Sequence, residues 1–356
     1  MGRVNTCDLQ PGMVLDGDVY NYNDQLVLPE GLVLNEKAIT KLSYYAISSV
    51  RIKDDKTAAK VDEPEGSYAA RLRATPEFKK FKEDFETTVK EMSRVINDVV
   101  VKNAPLDLDS MVASALELLH PPGGDINVFD MVHNMRQYDD ITYAHSLNVG
   151  LICNVFAGWL GLSEQEQELA TECGILHDIG KLKIPESIIK KPKKLTDAEF
   201  AVIKTHPTEG YKILQRYDVD DHIRNATLMH HERCDGTGYP MGLTLEQIDY
   251  YAKIVCIADV YEAMTAARNY RGSLCPFDVI EAFENEGLQK YDTQMIMTFL
   301  ENIVNTYMLN RVRLSDGREG DIIFINKQKL SKPTVKCGSD YVDLYKESGL
   351  KIVSLV

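Results

Sequence analysis

The amino-acid sequence predicts a mainly α-helical protein, in which an all-helical domain is flanked by small β-rich units on its N-terminal and C-terminal sides. Two observations predict this arrangement. Helix start and stop signals punctuate residues 120–310, whereas β-formers separated by turn residues dominate both flanks. The chain has 356 residues, which is too long for a single compact core and therefore favours several domains.

The first segment, residues 1–53, is predicted to be a small β-rich domain. Its run DVYNYNDQLVLPEGLVL alternates β-formers with turn residues at Asn23-Asp24 and at Pro29-Glu30-Gly31, which indicates a hairpin unit. Residues 54–67 are polar and contain Pro and Gly, as is typical of a linker, and we place the linker at 54–74.

Residues 75–119 are predicted to form a helical connector. Thr75-Pro76-Glu77 is a favourable helix start, and phenylalanines follow at three- and four-residue steps at Phe78, Phe81 and Phe85. A helical pair packed on the surface of the next domain is the preferred interpretation. A stalk or a homodimer interface would produce the same pattern.

The following segment, residues 120–310, carries the helical punctuation. Ser163 with Glu166 and Thr196 with Glu199 are capping-box pairs, and Gly180 is expected at a helix C-terminal stop. Residues 311–356 are predicted to form a small β unit. Their turn Ser315-Asp316-Gly317 separates RVRL from GDIIFIN, and a further β-rich run, LKIVSLV, follows.

The amino-acid composition indicates which classes of binding partner to expect. The formal net charge of −14 disfavours a nucleic-acid polymer, because phosphate backbones need a cationic face. The seven cysteines lack C-x-x-C spacing and favour reduced cysteines in a cytoplasmic protein. The most apolar run, residues 149–162, is shorter than the ~20 residues that span a bilayer and contains Asn154. It therefore predicts a buried helix and no membrane partner.

The histidines carry the strongest chemical signal. All eight lie between residues 120 and 231, and several stand beside carboxylates, as in His177-Asp178 and His230-His231-Glu232. A single histidine is more often a packed residue than a ligand. Burying so many polar groups without partners would be costly, whereas a shared cation would satisfy them together. Imidazole and carboxylate donors suit Fe, Mn, Zn or Ni, so the pattern predicts a metal site.

Four blocks, HDIGKLKIPESIIKKPKKLT, HPTEGYKIL, HHERCDGTGYP and ADVYEAMTAARNYR, occur in this order between residues 138 and 300. Together they closely resemble the HD-GYP family. The resemblance implies a metal-dependent phosphodiesterase that hydrolyses cyclic di-GMP to pGpG, and onward to GMP, with a metal-bridging hydroxide as nucleophile. It also implies two divalent ions, most often Fe or Mn. The implied metal ligands are His145, His177, Asp178, His206, His230, His231 and Asp259.

The resemblance extends to catalytic and substrate-binding residues. Asp178 is expected to bridge the ions, and Lys181 to lie near the scissile phosphate. Arg268 and Arg271 match positions that hold substrate phosphates, although an exposed surface pair is equally consistent with their sequence. Tyr239 is a candidate for stacking on the substrate, and core packing is its alternative. The loop that contains Tyr239, residues 235–240, is implicated in contacts with diguanylate cyclase (GGDEF) domains.

Three positions qualify the resemblance. Ile141 stands where some members have a glutamate that supports a third metal ion, so we expect a binuclear site. Glu262 stands where members commonly have aspartate, and the extra methylene leaves the role of this carboxylate open. Glu232 is either a partner for a ligand histidine or a surface acid.

Three alternatives remain open at this point. The first is a cyclic dinucleotide receptor with weak or no turnover. The second is a phosphodiesterase for mixed cyclic GMP-AMP, since nothing in the sequence distinguishes one purine from another. The third is a phosphohydrolase of the wider HD superfamily that acts on nucleotides or an alarmone. The adjacent His230-His231 pair and the intact loop at 235–240 disfavour this third alternative.

Overall fold

The architecture was taken from a computed structural model of the chain. It describes residues 2–6, 9, 12–20, 26–34, 38–39, 41–42, 47, 49–53, 68–119, 127–135, 141–189, 191, 195–265, 275–347 and 349–356. Helices dominate these residues and strands occur only in the two flanking regions. The predicted mainly α class, with a helical domain between small β-rich units, is therefore confirmed.

The N-terminal unit contains two short antiparallel pairs. Strand β1 (Gly2–Asn5) pairs with β4 (Ser49–Ile52), and β2 (Val19–Tyr20) pairs with β3 (Leu26–Leu28), which is the predicted hairpin. The buried side chains of this unit form a hydrophobic cluster of their own, separate from that of the rest of the chain. The N-terminal unit is thus a region with an independent core.

The connector is helical. Helices α1 (Tyr68–Ala74), α2 (Pro76–Lys102) and α3 (Leu108–Glu117) follow one another, and the Thr75 side chain caps α2 by accepting from the Phe78 amide. The predicted linker is thus wrong over residues 68–74, where a sequence rich in alanine and arginine favours a helix. Residues 54–67 of that linker lie outside the described residues. The buried face of α2 belongs to the main core, as the packed-pair interpretation expects.

The helical domain continues from residue 128. Its α-helices are α4 (Val128–Asn134), α5 (Ile141–Trp159), α6 (Glu164–Leu176), α7 (Glu186–Ile189), α8 (Asp197–Ile203), α9 (His206–Leu214), α10 (Asp221–Met229), α11 (Tyr250–Thr265), α12 (Pro276–Glu286) and α13 (Thr293–Thr306), and a 3-10 helix covers Ile179–Lys183. Both predicted capping boxes are present, at Ser163 and Thr196. The expected helix stop at Gly180 is wrong, because this glycine lies inside the 3-10 helix.

Helix α5 is the central element of this domain. It packs against α6 and α11, while α9 packs against the 3-10 helix and α10. Most of its apolar run is buried, for example at Ile152 and Phe156, and Asn154 bonds to Thr171 of α6. Within the described residues, no helix has both the length and the apolar character needed to cross a membrane. The six described cysteines are all free thiols.

The C-terminal region is a five-stranded antiparallel sheet in the order β8-β7-β6-β5-β9. Its strands are β5 (Arg311–Leu314), β6 (Glu319–Phe324), β7 (Thr334–Cys337), β8 (Asp340–Asp343) and β9 (Ile352–Leu355). Unlike the N-terminal unit, this sheet shares the core of the helical domain, through buried residues such as Val312, Ile322 and Val335. Glu284 of α12 also accepts a hydrogen bond from the Leu330 amide.

Candidate metal centre

The helices bring the predicted ligands together by their ends. His177 directly follows the last residue of α6, and Asp178 directly precedes the 3-10 helix. His206 is the first residue of α9, and His230 directly follows the last residue of α10. Two groups of donor atoms result, and within each group the atoms lie within 4.8 Å of one another. The first group is His145, His177 and Asp178, and the second group is Asp178, His206, His230 and His231.

Asp259 of α11 completes the first group. Its Oδ1 atom lies 3.1 Å from His145 Nε2 and 4.0 Å from His177 Nε2. Asp178 is shared by the two groups through different oxygens. Its Oδ2 atom lies 3.3 Å from His177 Nε2, and its Oδ1 atom lies 3.2 Å from His206 Nε2. All seven predicted ligands therefore converge on one place, with one carboxylate between the two groups.

Backbone carbonyls hold three of these histidines. Their Nδ1 atoms donate to carbonyl oxygens three residues earlier, near the ends of α6, α8 and α10: His177 to Gly174 at 2.7 Å, His206 to Ile203 at 2.8 Å and His230 to Thr227 at 2.9 Å. Carbonyls at helix C-termini lack helical partners and can only accept. Each neutral ring must therefore carry its hydrogen on Nδ1, which leaves the Nε2 lone pair directed at the centre.

His145 is held differently, by a carboxylate. Its Nδ1 atom donates to Glu262 Oε2 at 2.6 Å, and Asn148 Nδ2 donates to Glu262 Oε1 at 2.9 Å. Glu262 is almost fully buried. The glutamate side chain, which is one methylene longer than aspartate, therefore reaches both His145 and Asn148. Asn148 was missed, although its position three residues after His145 on one helix face was a usable signal.

The ionisation states of the donor side chains are those that favour binding of a cation. Burial would raise the pKa of Asp178, but the neighbouring His177 and Lys181 hold it well below its usual value. Burial also opposes ionisation of Asp259, yet His145 lowers its pKa in the same way. Burial lowers the pKa of His230 well below the usual value. At neutral pH these groups thus present carboxylates and a neutral imidazole, the forms that bind metal ions.

His231 and His145 differ in this respect. Burial lowers the pKa of His231, as it does for its neighbour. Burial acts in the same direction on His145, but Glu262 and Asp259 outweigh it and raise the pKa of this imidazole to about 10. In the absence of a cation, the first group therefore holds a proton that a metal ion would displace.

Buried polar atoms without hydrogen bonds test whether a cation fits. Among the described residues, His177 Nε2 and Asp178 Oδ1 are buried and make no hydrogen bond. The Nε2 atoms of His206 and His230 face each other at 3.2 Å, although both rings carry their hydrogen on Nδ1. Two lone pairs at this distance repel, and a cation between them would turn the repulsion into ligation. The donor set therefore fits metal ions.

Lys181 lies at the rim of the centre. Its Nζ atom donates to Asp178 Oδ2, and its side chain remains partly exposed to solvent. The preceding residue, Gly180, packs closely against the backbone of α9 and so brings the 3-10 helix near His206. A Cβ atom at this position would lie 1.9 Å from the His206 carbonyl oxygen and 2.5 Å from the Gly210 amide nitrogen. Only glycine lets the 3-10 helix approach the start of α9 so closely.

The loop at 235–240 folds onto the second group. The Tyr239 ring stacks on His231 at 4.7 Å between centroids, and Lys204 Nζ lies 5.2 Å from the centroid of the Tyr239 ring. Glu232 fastens the chain beyond the loop, since its carboxylate accepts from the amides of Met241 at 2.7 Å and Leu243 at 2.9 Å. Both predictions for Glu232 are therefore wrong. It is buried, and its described hydrogen bonds go to backbone amides.

Two substrate-binding candidates and one histidine, Arg268, Arg271 and His120, lie outside the described residues. His222 bonds to Asp249 at 2.8 Å and belongs to neither group of ligand atoms.

Comparison with known proteins identifies the helical domain. The HD domain family matches residues 132–295. The cyclic di-GMP phosphodiesterase PA4108 of Pseudomonas aeruginosa is 35% identical over 225 residues, which are 63% of this chain and 53% of that protein. The 3'3'-cGAMP-specific phosphodiesterase 1 of Vibrio cholerae is 37% identical over 170 residues, which are 48% of this chain and 39% of that protein.

A third relative is the cyclic di-GMP phosphodiesterase response regulator RpfG of Xanthomonas campestris. It is 43% identical over 123 residues, which are 34% of this chain and 32% of that protein. The chain thus spans between about a third and about a half of the length of these relatives. The motifs, the geometry of the donor atoms and these matches agree, and the helical region of this chain is similar to the HD domain family over residues 132–295.

Proposed function

We propose that the chain is a metal-dependent phosphodiesterase that hydrolyses a cyclic dinucleotide, with cyclic di-GMP as its first substrate. One observation carries the proposal: two groups of mostly buried donor residues share the single carboxylate of Asp178. Such an arrangement suits two neighbouring cations that act on one phosphate. The HD domain and the relatives named as phosphodiesterases support the same reaction class.

The seven ligands would hold two divalent ions, and Fe or Mn fits their mixture of imidazole and carboxylate. When bound, the ions would supply Lewis acidity toward the phosphate and a water ionised near neutral pH. Asp178 would hold the two sites in register because its two oxygens face different groups. The carbonyl-bonded histidines would keep their lone pairs directed at the ions throughout turnover.

The remaining residues would act on the substrate. Lys181, which contacts the shared carboxylate from the rim, would place its ammonium group beside the scissile phosphate and stabilise the charge that accumulates there. Arg268 and Arg271 would hold phosphate oxygens in bidentate contacts. Tyr239 would border the substrate from the second group, where its ring already packs on His231.

The two candidate substrates differ in one nucleobase. Cyclic di-GMP and mixed cyclic GMP-AMP share the same phosphodiester, and similar relatives are named for each substrate. Cleavage of cyclic di-GMP would release the ribose 3′ oxygen and give linear pGpG, with a second cleavage giving GMP. A receptor with the same fold would bind the dinucleotide without releasing either product.

The decisive experiment measures metal content and products on the same anaerobically prepared protein. We expect two ions per chain by elemental analysis and cleavage of cyclic di-GMP when Fe²⁺ or Mn²⁺ is supplied, followed by chromatography against pGpG and GMP. Parallel reactions with 3'3'-cGAMP would identify the preferred base. Bound dinucleotide without cleavage would support the receptor instead.

Matched histidine variants make this experiment specific. His206→Ala should lose metal and activity, because its Nε2 atom lies between Asp178 and His230. His222→Ala should keep both, because that histidine bonds to Asp249 away from the centre. Full metal content and full turnover in His206→Ala would refute the proposed centre.

The domain boundaries and protein partners belong to the same proposal. A catalytic domain at 120–310 and a regulatory or accessory unit at 1–53 agree with the separate core of the N-terminal unit. Contact with a GGDEF domain through the loop at 235–240, and a homodimer through residues 75–119, are proposed as partners. Size measurement by light scattering and a binding assay with a loop variant would test them.

A further inference from the structure

We propose that Glu262 is a positioning residue that makes His145 a competent ligand and so controls metal occupancy of the first group alone. This inference rests on the proposed function. Its basis is the pair of hydrogen bonds by which one buried carboxylate of α11 holds two side chains of α5, His145 and Asn148. No other histidine of the two groups is bonded through Nδ1 to a carboxylate within the described residues.

The location of His145 explains why it needs such a partner. His177, His206 and His230 lie beside helix C-termini, where free carbonyls accept from Nδ1. His145 instead lies near the beginning of α5, where carbonyls are occupied by the following turns. An acceptor must therefore come from another helix, and Glu262 provides it across 117 residues of sequence.

Glu262 is suited to this role and not to ligation. Each of its oxygens already accepts one short hydrogen bond, Oε2 from His145 and Oε1 from Asn148. It lies three residues after Asp259 on α11, so one helix face supplies both a ligand of the first group and the support of another ligand. Both of these hydrogen-bond partners belong to α5.

The charge of the support has a chemical consequence. A carboxylate that accepts from Nδ1 fixes the imidazole tautomer and strengthens electron donation from Nε2 toward a metal ion. Loss of such a partner typically weakens metal affinity about 10- to 100-fold. For this chain, that loss should fall on one ion only, because His206 and His230 of the second group are held by backbone carbonyls.

The test compares Glu262→Gln with wild-type protein by Mn²⁺ titration and by ions bound per chain. Glutamine has the same size but offers only one acceptor oxygen, and it removes the negative charge. We expect one ion to bind with unchanged affinity and the other about 10- to 100-fold more weakly. Asn148→Ala should weaken the same ion by a smaller factor, since it frees Glu262 without removing it.

Glu284→Gln is the matched control. Glu284 is also a poorly exposed carboxylate that accepts hydrogen bonds from the protein, but its partners are Lys329, Leu330 and Ser331 of the C-terminal region. This variant should retain two ions of wild-type affinity. If it lost one ion as Glu262→Gln does, a general effect of removing a buried charge would replace the positioning role.

A spectroscopic measurement separates positioning from structural support. Long-range ¹H–¹⁵N spectra of the Zn²⁺-loaded protein report which nitrogen of each histidine carries the hydrogen. We expect only His145 to change in Glu262→Gln. If wild-type protein binds two ions and Glu262→Gln binds both with equal affinity and an unchanged His145 signal, the inference is overturned while the proposed function stands. If wild-type protein itself binds no ions, the proposed function fails first.

Discussion

The first group differs from the second through one histidine, His145, which is held by a side chain, whereas its other histidine, His177, is held by a backbone carbonyl. In the first group, His145 depends on a side chain from another helix, at 2.6 Å from Glu262. In the second group, His206 and His230 depend on carbonyls of neighbouring turns. A side-chain support can be removed by one substitution without moving the backbone. A backbone support changes only when the helices themselves move, so the two groups should respond to different kinds of mutation.

The largest effect is expected when the second group is displaced through the backbone, in Gly180→Ala. The added Cβ atom would lie 1.9 Å from the His206 carbonyl oxygen, so α9 must move away from the 3-10 helix. Overpacking of this kind costs about 1–3 kcal/mol or more of unfolding free energy. We expect a lower melting temperature and loss of metal, measured by calorimetry and elemental analysis.

Gly158→Ala is the control for that change. A Cβ atom at Gly158 would meet Gln167 at 3.5 Å, which is an ordinary contact, inside helix α5. Because alanine favours a helix interior by about 1 kcal/mol over glycine, stability should be equal or higher. Equal behaviour of Gly180→Ala and Gly158→Ala would show that close packing at Gly180 does not place His206.

The next effect concerns the carboxylate that both groups share. Lys181 contacts Asp178 from the rim, outside either set of ligands. Lys181→Ala should therefore keep both ions and the fold but lower turnover about 10²- to 10³-fold, the usual loss for one group that stabilises transition-state charge. Steady-state kinetics beside metal analysis would measure this. Unchanged turnover would remove Lys181 from the mechanism.

The donor residues of the centre were predictable, because most of them belong to short local motifs such as His177-Asp178 and His230-His231. Their supports were only partly predictable. The carbonyl partners lie near helix C-termini, whereas the recognised capping residues Ser163 and Thr196 mark only the N-termini of α6 and α8. The Glu262 contact depends on how α5 crosses α11, and no local pattern encodes a crossing between helices so distant in sequence.

The two β-rich flanks illustrate the same limit at the level of the fold. Both were predicted from alternating β-formers and turns, and both contain strands. Only the C-terminal sheet shares the core of the helical domain, through residues such as Val312 and Val335, whereas the N-terminal unit has its own cluster. Alternation reveals that one face of a strand is apolar but not which partner covers that face.

A smaller effect is expected at Glu232, which supports the second group from outside its ligands. In Glu232→Gln only one oxygen remains to accept from the amides of Met241 and Leu243. One partly buried amide would lose its partner, at a cost of about 1 kcal/mol. The loop that stacks Tyr239 on His231 should loosen, so KM should rise while the number of bound ions stays the same. Kinetics and elemental analysis measure these quantities, and a lost ion would place Glu232 among the metal supports instead.

The smallest effects should come from the two capping boxes. One begins the helix that leads to His177 of the first group, and the other begins the helix that leads to His206 of the second group. Ser163 caps α6, whose C-terminal half is buried in the main core and leads to His177, whereas Thr196 caps α8, which has no buried residues. Loss of a capping side chain costs about 1 kcal/mol. Ser163→Ala should lower the global free energy of unfolding in urea by that amount. Thr196→Ala should change it less and instead increase hydrogen exchange locally in α8, because fraying of an exposed helix does not require global unfolding. Equal losses in urea for both variants would mean that α8, and with it the approach to His206, unfolds only with the whole domain.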